Sequence, residues 1–479
     1  MTARILLVFS LFFSVCYQIV AQTEKSVNDI FLREIPAYSP FSFYAIEAES
    51  GKVLAETNQL SLTPASTQKL MTTAVALSLL GADFRFETKI LMVGKIDAAS
   101  GALLGDLIIS GGGDPAFYSE YFAEHYQGTF EEWADKIAAL GIKKINGELL
   151  LNMSAYANDP IPGGWIWDDI GNYYGAGVSA LTYRDNLYRI YFKTDNVEGN
   201  PAVITRIEPQ IEGLLLENKV VSSSIERDLS IVYGAPGSYS QQIKGTIPKG
   251  RTDFVVKGPI PNPADRVAAD FLAVLHRKGI EISRNFKKVC EFSQTDMETV
   301  AIKQSPSLSE ILVPLNRESI NLFAEHLLCE VGRKSSGFAT LQAGIDALKV
   351  FCEKAEISVK GYFPKDGSGL SRSNAITART LAETINYMYN STNRLPFVNS
   401  LAAAGRDGTL KNIFKGTPLE NNLRGKTGSM ERVRSMAGIF RTSAGKQVVF
   451  GFVINNSQQT SREINLLLQK ALMELYNGV

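Results

Sequence analysis

The stretch that decides the fold is residues 63–81, TPASTQKLMTTAVALSLLG. A threonine followed by proline is typical of a helix start, and a glycine is typical of a helix end. The pattern therefore predicts a helix with Thr63 as its N-cap, Pro64 at its first position and Gly81 as its stop. Apolar residues cover nearly all sides of the run, which predicts that this helix is buried.

Ser66 lies in the first turn of the predicted helix, and Lys69 lies on the same face three residues later. A serine hydroxyl is a weak nucleophile until a base removes its proton, and a lysine can be that base where burial and nearby charge lower its pKa. The spacing alone is weak evidence, because Ser443 and Lys446 share it in a glycine-containing turn. A helix-start serine beside a solvated lysine is the plainer interpretation of one such pair.

A second pattern is Ser319-Ile320-Asn321, at the start of a helical run. A hydroxyl two residues from an amide can relay a proton and hold a substrate carbonyl group. The same letters at Ser26 to Asn28 and Ser391 to Asn393 show how often this pattern arises by chance. Taken alone, it is better explained as a helix cap.

A third pattern, Lys426-Thr427-Gly428, occurs once and stands directly before Ser429 and a terminal hairpin. A strand lysine supplies a fixed positive charge for a substrate carboxylate, threonine adds a hydroxyl contact, and glycine lets a substrate backbone approach closely. It is not a nucleotide-binding loop, because Glu420 stands where the leading glycine should be.

In this order, the three patterns resemble the active site of penicillin-binding proteins and serine β-lactamases. The long separation of Ser66 and Ser319 resembles the D-alanyl-D-alanine carboxypeptidase/endopeptidase family of the penicillin-binding-protein 4 type, peptidase family S13. Further matching segments are Gly113-Asp114-Pro115, Trp165 to Asp169, Tyr173 to Ala176, Ser179 to Leu181, Asp366 to Arg372 and Asp407 to Leu410. One departure is Ile320, where the family often carries aspartate.

The resemblance implies a role for each motif residue. Ser66 would be the nucleophile and Lys69 its general base. The proton would be shuttled, and the substrate oriented, by Ser319 and Asn321. The terminal carboxylate would be bound by Lys426 and Thr427, followed by Gly428, and the oxyanion hole would be formed by the backbone N–H groups of Ser66 and Ser429. No cofactor and no metal are implied.

The resemblance also implies a pocket for the free end of the stem-peptide side chain, lined by Trp165, Asp168, Tyr173, Leu370, Arg372 and Met430. Asp168 could pair with the amine of a diaminopimelic acid, and Arg372 with its carboxylate. Structural aromatic residues and ordinary surface charges would explain the same residues about equally well.

Hairpin patterns occur near both ends of the chain, at Phe41 to Glu56 and at Met436 to Val453, with helical patterns between them. This arrangement predicts an α+β fold, in which a β-lactamase/transpeptidase-like domain has an antiparallel sheet built from both termini and covered by helices. Residues 22–93 and 285–479 would form this discontinuous catalytic domain. Residues 94–284 are predicted to be a strand-rich insertion of two subdomains.

Residues 1–21 combine Arg4, an apolar run from Ile5 to Val15 and a Val20-Ala21 cleavage site, which predicts a signal peptide. The mature enzyme would then be periplasmic or otherwise extracytoplasmic, with peripheral membrane association left open. The patterns leave the oligomeric state open as well.

Composition excludes other classes of protein. Among 479 residues, 49 Lys and Arg balance 49 Asp and Glu, so there is no basic footprint for nucleic acid. Three cysteines follow the predicted signal peptide, and an odd number cannot all be paired. The three histidines lack metal-ligand spacing, and no Gly-x-Ser-x-Gly elbow favours a Ser-His-Asp hydrolase.

The predicted function is a serine D-alanyl-D-alanine carboxypeptidase, D,D-endopeptidase or both, acting on peptidoglycan stem peptides and acylated by β-lactams. A serine β-lactamase or esterase of the same fold would share the three motifs and differ by fast deacylation. A non-catalytic cell-wall-binding relative is the other alternative, which an intact set of motif residues disfavours.

Overall fold

The computed structural model describes residues 22–156, 159–283, 285–291 and 296–479. The predicted signal peptide lies outside the described residues. The α-helices are α1 (22–34), α2 (Lys69–Leu80), α3 (Ala123–Tyr126), α4 (Thr129–Ala139), α5 (Trp167–Ile170), α6 (Pro263–Arg277), α7 (Leu308–Arg317), α8 (Asn321–Ser336), α9 (Leu341–Lys354), α10 (Ala378–Tyr389), α11 (Arg394–Ser400) and α12 (Ser461–Gly478).

The strands are β1 (Phe41–Glu47), β2 (Val53–Thr57), β3 (Glu87–Asp97), β4 (Ala102–Ser110), β5 (Lys144–Ile145), β6 (Leu149–Asn152), β7 (Leu187–Lys193), β8 (Val203–Glu208), β9 (Leu215–Ser223), β10 (Ile231–Tyr233), β11 (Ser240–Pro248), β12 (Phe254–Pro259), β13 (Phe286–Val289), β14 (Met297–Gln304), β15 (Ala402–Ala403), β16 (Arg424–Met430), β17 (Val433–Arg441) and β18 (Gln447–Ile454). The predicted hairpins at both ends are therefore confirmed.

The chain divides into two compact units. The first extends to Ala82 and resumes at Leu312–Ile320 and Ile345–Val479; the second comprises Asp83–Ile311 and Asn321–Gly344. This division reflects only which parts of the chain pack densely together. It does not test the predicted boundaries of the catalytic domain and the insertion, which stay predictions.

The first unit is built on a six-stranded antiparallel sheet in the order β15-β16-β17-β18-β1-β2. Because β1 pairs with β18, the hairpins from the two ends of the chain lie side by side, as predicted. On one face, Phe31 of α1, Phe452 of β18 and Leu468 of α12 belong to the same buried core. On the other face, a Cβ on Gly451 would lie 2.2 Å from the carbonyl oxygen of Ala378, so α10 packs directly on β18.

The predicted helix at residues 63–81 is present and buried, and it ends at Gly81 with a φ of 87°. The predictions that Thr63 is its N-cap and that Pro64 is its first residue were wrong, because Pro64 itself caps the entering turn. Ala65 has a φ of 48°, so the chain enters through a 3₁₀ turn at Ala65–Gln68 before the α-helix begins at Lys69. The backbone N–H of Thr63 instead donates to Oδ1 of Asn455.

The second unit is strand-rich, as predicted for this part of the chain. It contains a six-stranded sheet, β13-β6-β4-β3-β14 with β5 beside β4, and two three-stranded sheets, β12-β7-β8 and β10-β11-β9. Trp133 of α4 packs against Phe117 and Phe271 in a buried aromatic cluster. The predictions missed α4, although its apolar residues are buried on one side.

The helix predicted from Ser319 begins two residues later, at Asn321. Ser319 has a φ of 64°, which excludes it from a right-handed helix. The helix α7 just before it was not predicted, and it contains Pro314.

Cys329 and Cys352 are buried free thiols on α8 and α9, and Cys290 is free and exposed. Burial raises the pKa of the Cys352 thiol to about 12. Among the described residues, no group of three or more His, Cys, Asp or Glu side chains could hold a metal ion. In the same part of the chain, no helix combines the length and apolarity needed to cross a membrane.

Candidate active site

Ser66 and Lys69 form the centre of the site. Nζ of Lys69 donates to Oγ of Ser66 at 3.1 Å and to the carbonyl oxygen of Ser368 at 2.8 Å. The Lys69 side chain is fully buried, whereas Ser66 is half-buried. Lysine is rarely buried without a partner, so a buried amine held against a serine hydroxyl is a strong sign of a functional pair.

The backbone around Ser66 is tightly enclosed. A Cβ on Gly428 would lie 2.5 Å from the carbonyl oxygen of Pro64 and 3.0 Å from the backbone nitrogen of Ser66. A Cβ on Gly369 would lie 1.9 Å from the carbonyl oxygen of Ala65. Two glycines therefore let two other segments of the chain approach the serine, and the unusual φ of Ala65 is held in place between them.

Ser319 of the second motif and Lys426 of the third motif meet within the first unit. Nζ of Lys426 donates to Oγ of Ser319 at 2.9 Å and to the carbonyl oxygen of Thr427 at 2.8 Å. Because Ser319 accepts from the ammonium group, its own proton is free to point elsewhere. This contact joins residues 107 positions apart, and the sequence order alone could not show it.

Lys426 is fully buried, and this burial lowers its pKa well below the usual value. The positive charge of Lys69 lowers the pKa of Lys426 further, while the carboxylate of Glu318 acts in the opposite direction. Two lysine amines thus lie in one small region, where protonating one of them costs less free energy than protonating both.

Asn321 is the first residue of α8 and belongs to the second compact unit. Its Nδ2 donates to the carbonyl oxygen of Tyr174 at 2.8 Å. This contact joins the start of α8 to the residue after Tyr173, which is one of the residues predicted to line the side-chain pocket.

The residues predicted to line that pocket divide between the two units. Leu370, Arg372 and Met430 lie in the first unit, where Arg372 forms an ion pair with Glu431 at 3.6 Å. Whether they share one pocket with the residues of the second unit stays a prediction.

In the second unit, Tyr173 and Asp168 are exposed, whereas Trp165 is buried with 6% of its surface accessible. The neighbouring Trp167 is 53% exposed and was not predicted as a site residue.

Asp366 is a buried residue of the site that sequence reasoning gave no role. Its carboxylate accepts hydrogen bonds from the backbone N–H groups of Gly369 and Ser371, at 2.7 and 2.6 Å, and from Nδ2 of Asn374 at 2.8 Å. It thereby shapes the loop that presents the carbonyl oxygen of Ser368 to Lys69. The segment from Asp366 to Arg372 was noted as matching the family, but that match did not show what the Asp366 carboxylate contacts.

Asn316 is the second residue that sequence reasoning missed. Its Nδ2 donates to Oγ1 of Thr73 on α2 at 3.1 Å and to Oγ of Ser400 at 2.8 Å. These buried contacts fix the segment that carries Ser319 to the helix that carries Lys69. Nothing in the local pattern around Asn316 indicates this role.

Replacing Gly428 by alanine should lower the rate of acylation by benzylpenicillin about 100-fold, because the added methyl group would displace Pro64 or Ser435 and move Ser66. The measurement is the acylation rate, with near-ultraviolet circular dichroism to verify folding. Gly163→Ala is the control, since a Cβ there meets nothing within 4 Å. An unchanged rate in Gly428→Ala would show that the close approach has no catalytic role.

The site consists of a buried lysine against one serine and a second lysine against a second serine, on an antiparallel sheet covered by helices. These features define a serine hydrolase with a β-lactamase/transpeptidase-like fold and a strand-rich insertion. The family model of the D-Ala-D-Ala carboxypeptidase 3 (S13) family matches residues 25–475. The chain belongs to this family.

Two curated relatives show the extent of the similarity. The D-alanyl-D-alanine carboxypeptidase DacB of Haemophilus influenzae is 28% identical over 456 residues, which cover 93% of this chain and 91% of that protein. A D-alanyl-D-alanine carboxypeptidase of an Actinomadura species is 28% identical over 409 residues, which cover 82% of this chain and 73% of that protein.

Solved structures agree with these relatives. The crystal structure of penicillin binding protein 4 from H. influenzae has a TM-score of 0.81 and 26% identity, covering 94% of this chain and 99% of that one. The same protein complexed with a novel β-lactam has a TM-score of 0.75 and 25% identity, with the same coverage. The expected family and fold class are confirmed.

Proposed function

We propose that the protein hydrolyses D-alanyl-D-alanine-ended peptides and D,D-cross-links of peptidoglycan through an acyl-enzyme on Ser66. The observation that carries the proposal is the buried amine of Lys69 at 3.1 Å from the Ser66 hydroxyl, on a chain of the S13 family. The relatives named as D-alanyl-D-alanine carboxypeptidases support the substrate.

Lys69 is the general base in this mechanism. It takes the Ser66 proton while Oγ attacks the carbonyl carbon of the penultimate D-alanine. The C–N bond then breaks, and the leaving amine receives a proton through Lys69 and Ser319. Water attacks the remaining ester, Ser66 regains its proton, and a shortened peptide with a free carboxylate departs.

The backbone N–H groups of Ser66 and Ser429 would stabilise the negative charge that develops on the carbonyl oxygen. The close approach of Gly428 to the Ser66 nitrogen supports this arrangement, because it brings the strand of Ser429 beside the nucleophile.

The terminal carboxylate of the substrate would be held at the Lys426-Thr427 end of β16. Because Lys426 is buried and bonded to Ser319, we assign it the role of a fixed positive charge that also orients Ser319. The Thr427 hydroxyl, which donates to Oγ1 of Thr409 at 2.7 Å, would make the direct contact.

Asn321 would hold the substrate amide, and Trp165, Asp168, Tyr173, Leu370, Arg372 and Met430 would receive the free end of the stem-peptide side chain. Exposed Asp168 and Arg372 suit the amine and the carboxylate of a diamino acid.

β-Lactams would acylate Ser66 in the same way and remain bound, because their acyl-enzyme is hydrolysed slowly. The relative crystallised with a β-lactam supports this proposal. Such a substrate also requires an exported enzyme, which agrees with the signal peptide predicted at residues 1–21. We propose a periplasmic or extracytoplasmic location, with residues 94–284 inserted into the catalytic domain.

The test is intact-mass spectrometry of the purified mature protein with and without benzylpenicillin. We expect a persistent adduct of one penicillin per chain, located on the Ser66 peptide after proteolysis. Rapid loss of the drug without an adduct would indicate a β-lactamase instead. An unmodified protein together with intact drug would indicate a non-catalytic relative.

A further inference from the structure

A cavity of about 310 Å³ lies in the first unit on the α12 face of the sheet, directly behind the Lys-Thr-Gly motif. Its lining includes Thr427 and Ser429 of β16, Phe452 of β18, and Ile464 and Leu468 of α12. Hydrolysis of a D-alanine-ended peptide, as described above, makes no use of this space.

Strand register shows why the cavity adjoins the motif. Gly428 pairs with Ser435, whose Oγ bonds to the carbonyl oxygen of Pro64, so this pair faces the nucleophile. The neighbouring pairs, Thr427 with Met436 and Ser429 with Arg434, must then face the opposite side, where the cavity lies. One face of the motif is therefore turned toward the nucleophile and the other toward the largely apolar cavity.

Arg434 lies at the wall of this cavity, and none of its contacts with the described residues is to a carboxylate. Its Nε donates to Oγ of Ser461 at 2.7 Å, and its Nη1 donates to the carbonyl oxygens of Met430 and Val433. Burial lowers the pKa of Arg434, and no carboxylate of the described residues acts against that effect. A half-buried guanidinium that bonds only neutral acceptors is suited to bind an anionic ligand.

The outer edge of β16, beside this cavity, is largely unpaired. β15 pairs only with Arg424 and Gly425, so from Lys426 to Met430 the outer edge of β16 has no partner strand in the described part of the sheet. A peptide laid along a free edge places alternate side chains on the two faces of the sheet.

We propose that this cavity binds the side chain of the leaving amino acid, and that Arg434 binds a carboxylate at the far end of that side chain. The inference rests on the proposed function, in which Thr427 holds the α-carboxylate of the leaving residue. The methyl group of D-alanine leaves the cavity empty, whereas a D-amino acid with an apolar chain ending in a carboxylate fills it. The site therefore selects for cross-links whose leaving amine belongs to a long, acidic D-residue.

The test uses three peptides that differ only in the last residue after the penultimate D-alanine: D-alanine, D-norleucine and D-α-aminopimelate. In the wild type, kcat/KM for release of the last residue should be highest for aminopimelate. Arg434→Gln should lower the ratio of kcat/KM for aminopimelate to kcat/KM for D-alanine about 10-fold, because a hydrogen bond to a charged group typically contributes that much to binding. Arg441→Gln, on the same strand and bonded to Gly445, is the matched control.

A second variant keeps the proposal testable if Arg434→Gln does not fold. Ile464→Trp fills the cavity from α12 and should lower the ratios for both norleucine and aminopimelate. If the folded variants show unchanged kcat/KM ratios, the proposed leaving-group site is overturned. The proposed function still stands in that case, provided that the protein releases D-alanine and forms a penicillin adduct. If the wild type cleaves no peptide and forms no adduct, the proposed function fails and this inference fails with it.

Discussion

Ser66→Ala should form no penicillin adduct and should lose D-alanine release by about six orders of magnitude, as happens when the nucleophile of a serine peptidase is removed. The variant deletes the hydroxyl oxygen of Ser66, which accepts a hydrogen bond from Lys69 at 3.1 Å. Because Ser66 is half-buried and lies in a 3₁₀ turn that its side chain does not cap, the fold should be retained. The measurements are intact mass after incubation with penicillin and release of D-alanine from a stem peptide.

The chain supplies a matched control at Ser443. This serine has a lysine three residues later, as Ser66 has, but its Oγ donates to the carbonyl oxygen of Tyr476 and Lys446 pairs with Glu47. Ser443→Ala should therefore be acylated at the wild-type rate. Peptidase activity retained in Ser66→Ala would contradict the assignment of the nucleophile.

Much of the fold was predictable because its signals are local. Gly81 does end the buried helix, and the two hairpins lie where their patterns at residues 41–56 and 436–453 predicted them. The prediction of one sheet from both termini also succeeded, since two apolar hairpins with helices between them have few other ways to bury their faces.

The prediction for Thr63 failed because tertiary contacts override a local preference. A Thr-Pro start is typical of an N-cap, but in the folded protein Asn455 binds the Thr63 backbone and Gly369 packs against Ala65. The residue before the nucleophile is thereby held at a positive φ, which no propensity would indicate. Ser319, at a φ of 64°, shows the same effect at the second motif.

The motif residues of the site were predictable from the sequence, but the buried residues that hold them in position were not. Each motif occurs within three or four residues, so its spacing can be read from the sequence. Asp366 and Asn316 act on residues far along the chain, and a buried aspartate or asparagine has no distinctive local pattern. The cavity at Arg434 likewise depends on which face of β16 each side chain occupies, which requires the register with β17.

Lys69→Gln should lower the acylation rate about 10²- to 10⁴-fold, which is the usual contribution of a general base. Glutamine keeps a donor for the carbonyl oxygen of Ser368 but cannot take the proton of Ser66. Lys446→Gln is the control, since that lysine lies at the surface in a pair with Glu47. Acylation of Lys69→Gln at the wild-type rate would show that another group removes the proton.

The same variant should change how stability depends on pH. In the wild type, Lys426 has a pKa below its unfolded value near 10.5, so between these two values the unfolded state binds more protons and stability rises with pH. Removing the positive charge of Lys69 should raise the pKa of Lys426 and make that rise smaller. Urea unfolding of the wild type and Lys69→Gln from pH 7 to pH 10 measures the difference. An equal rise in both proteins would mean that the two lysines do not interact, and that the site holds both charges independently.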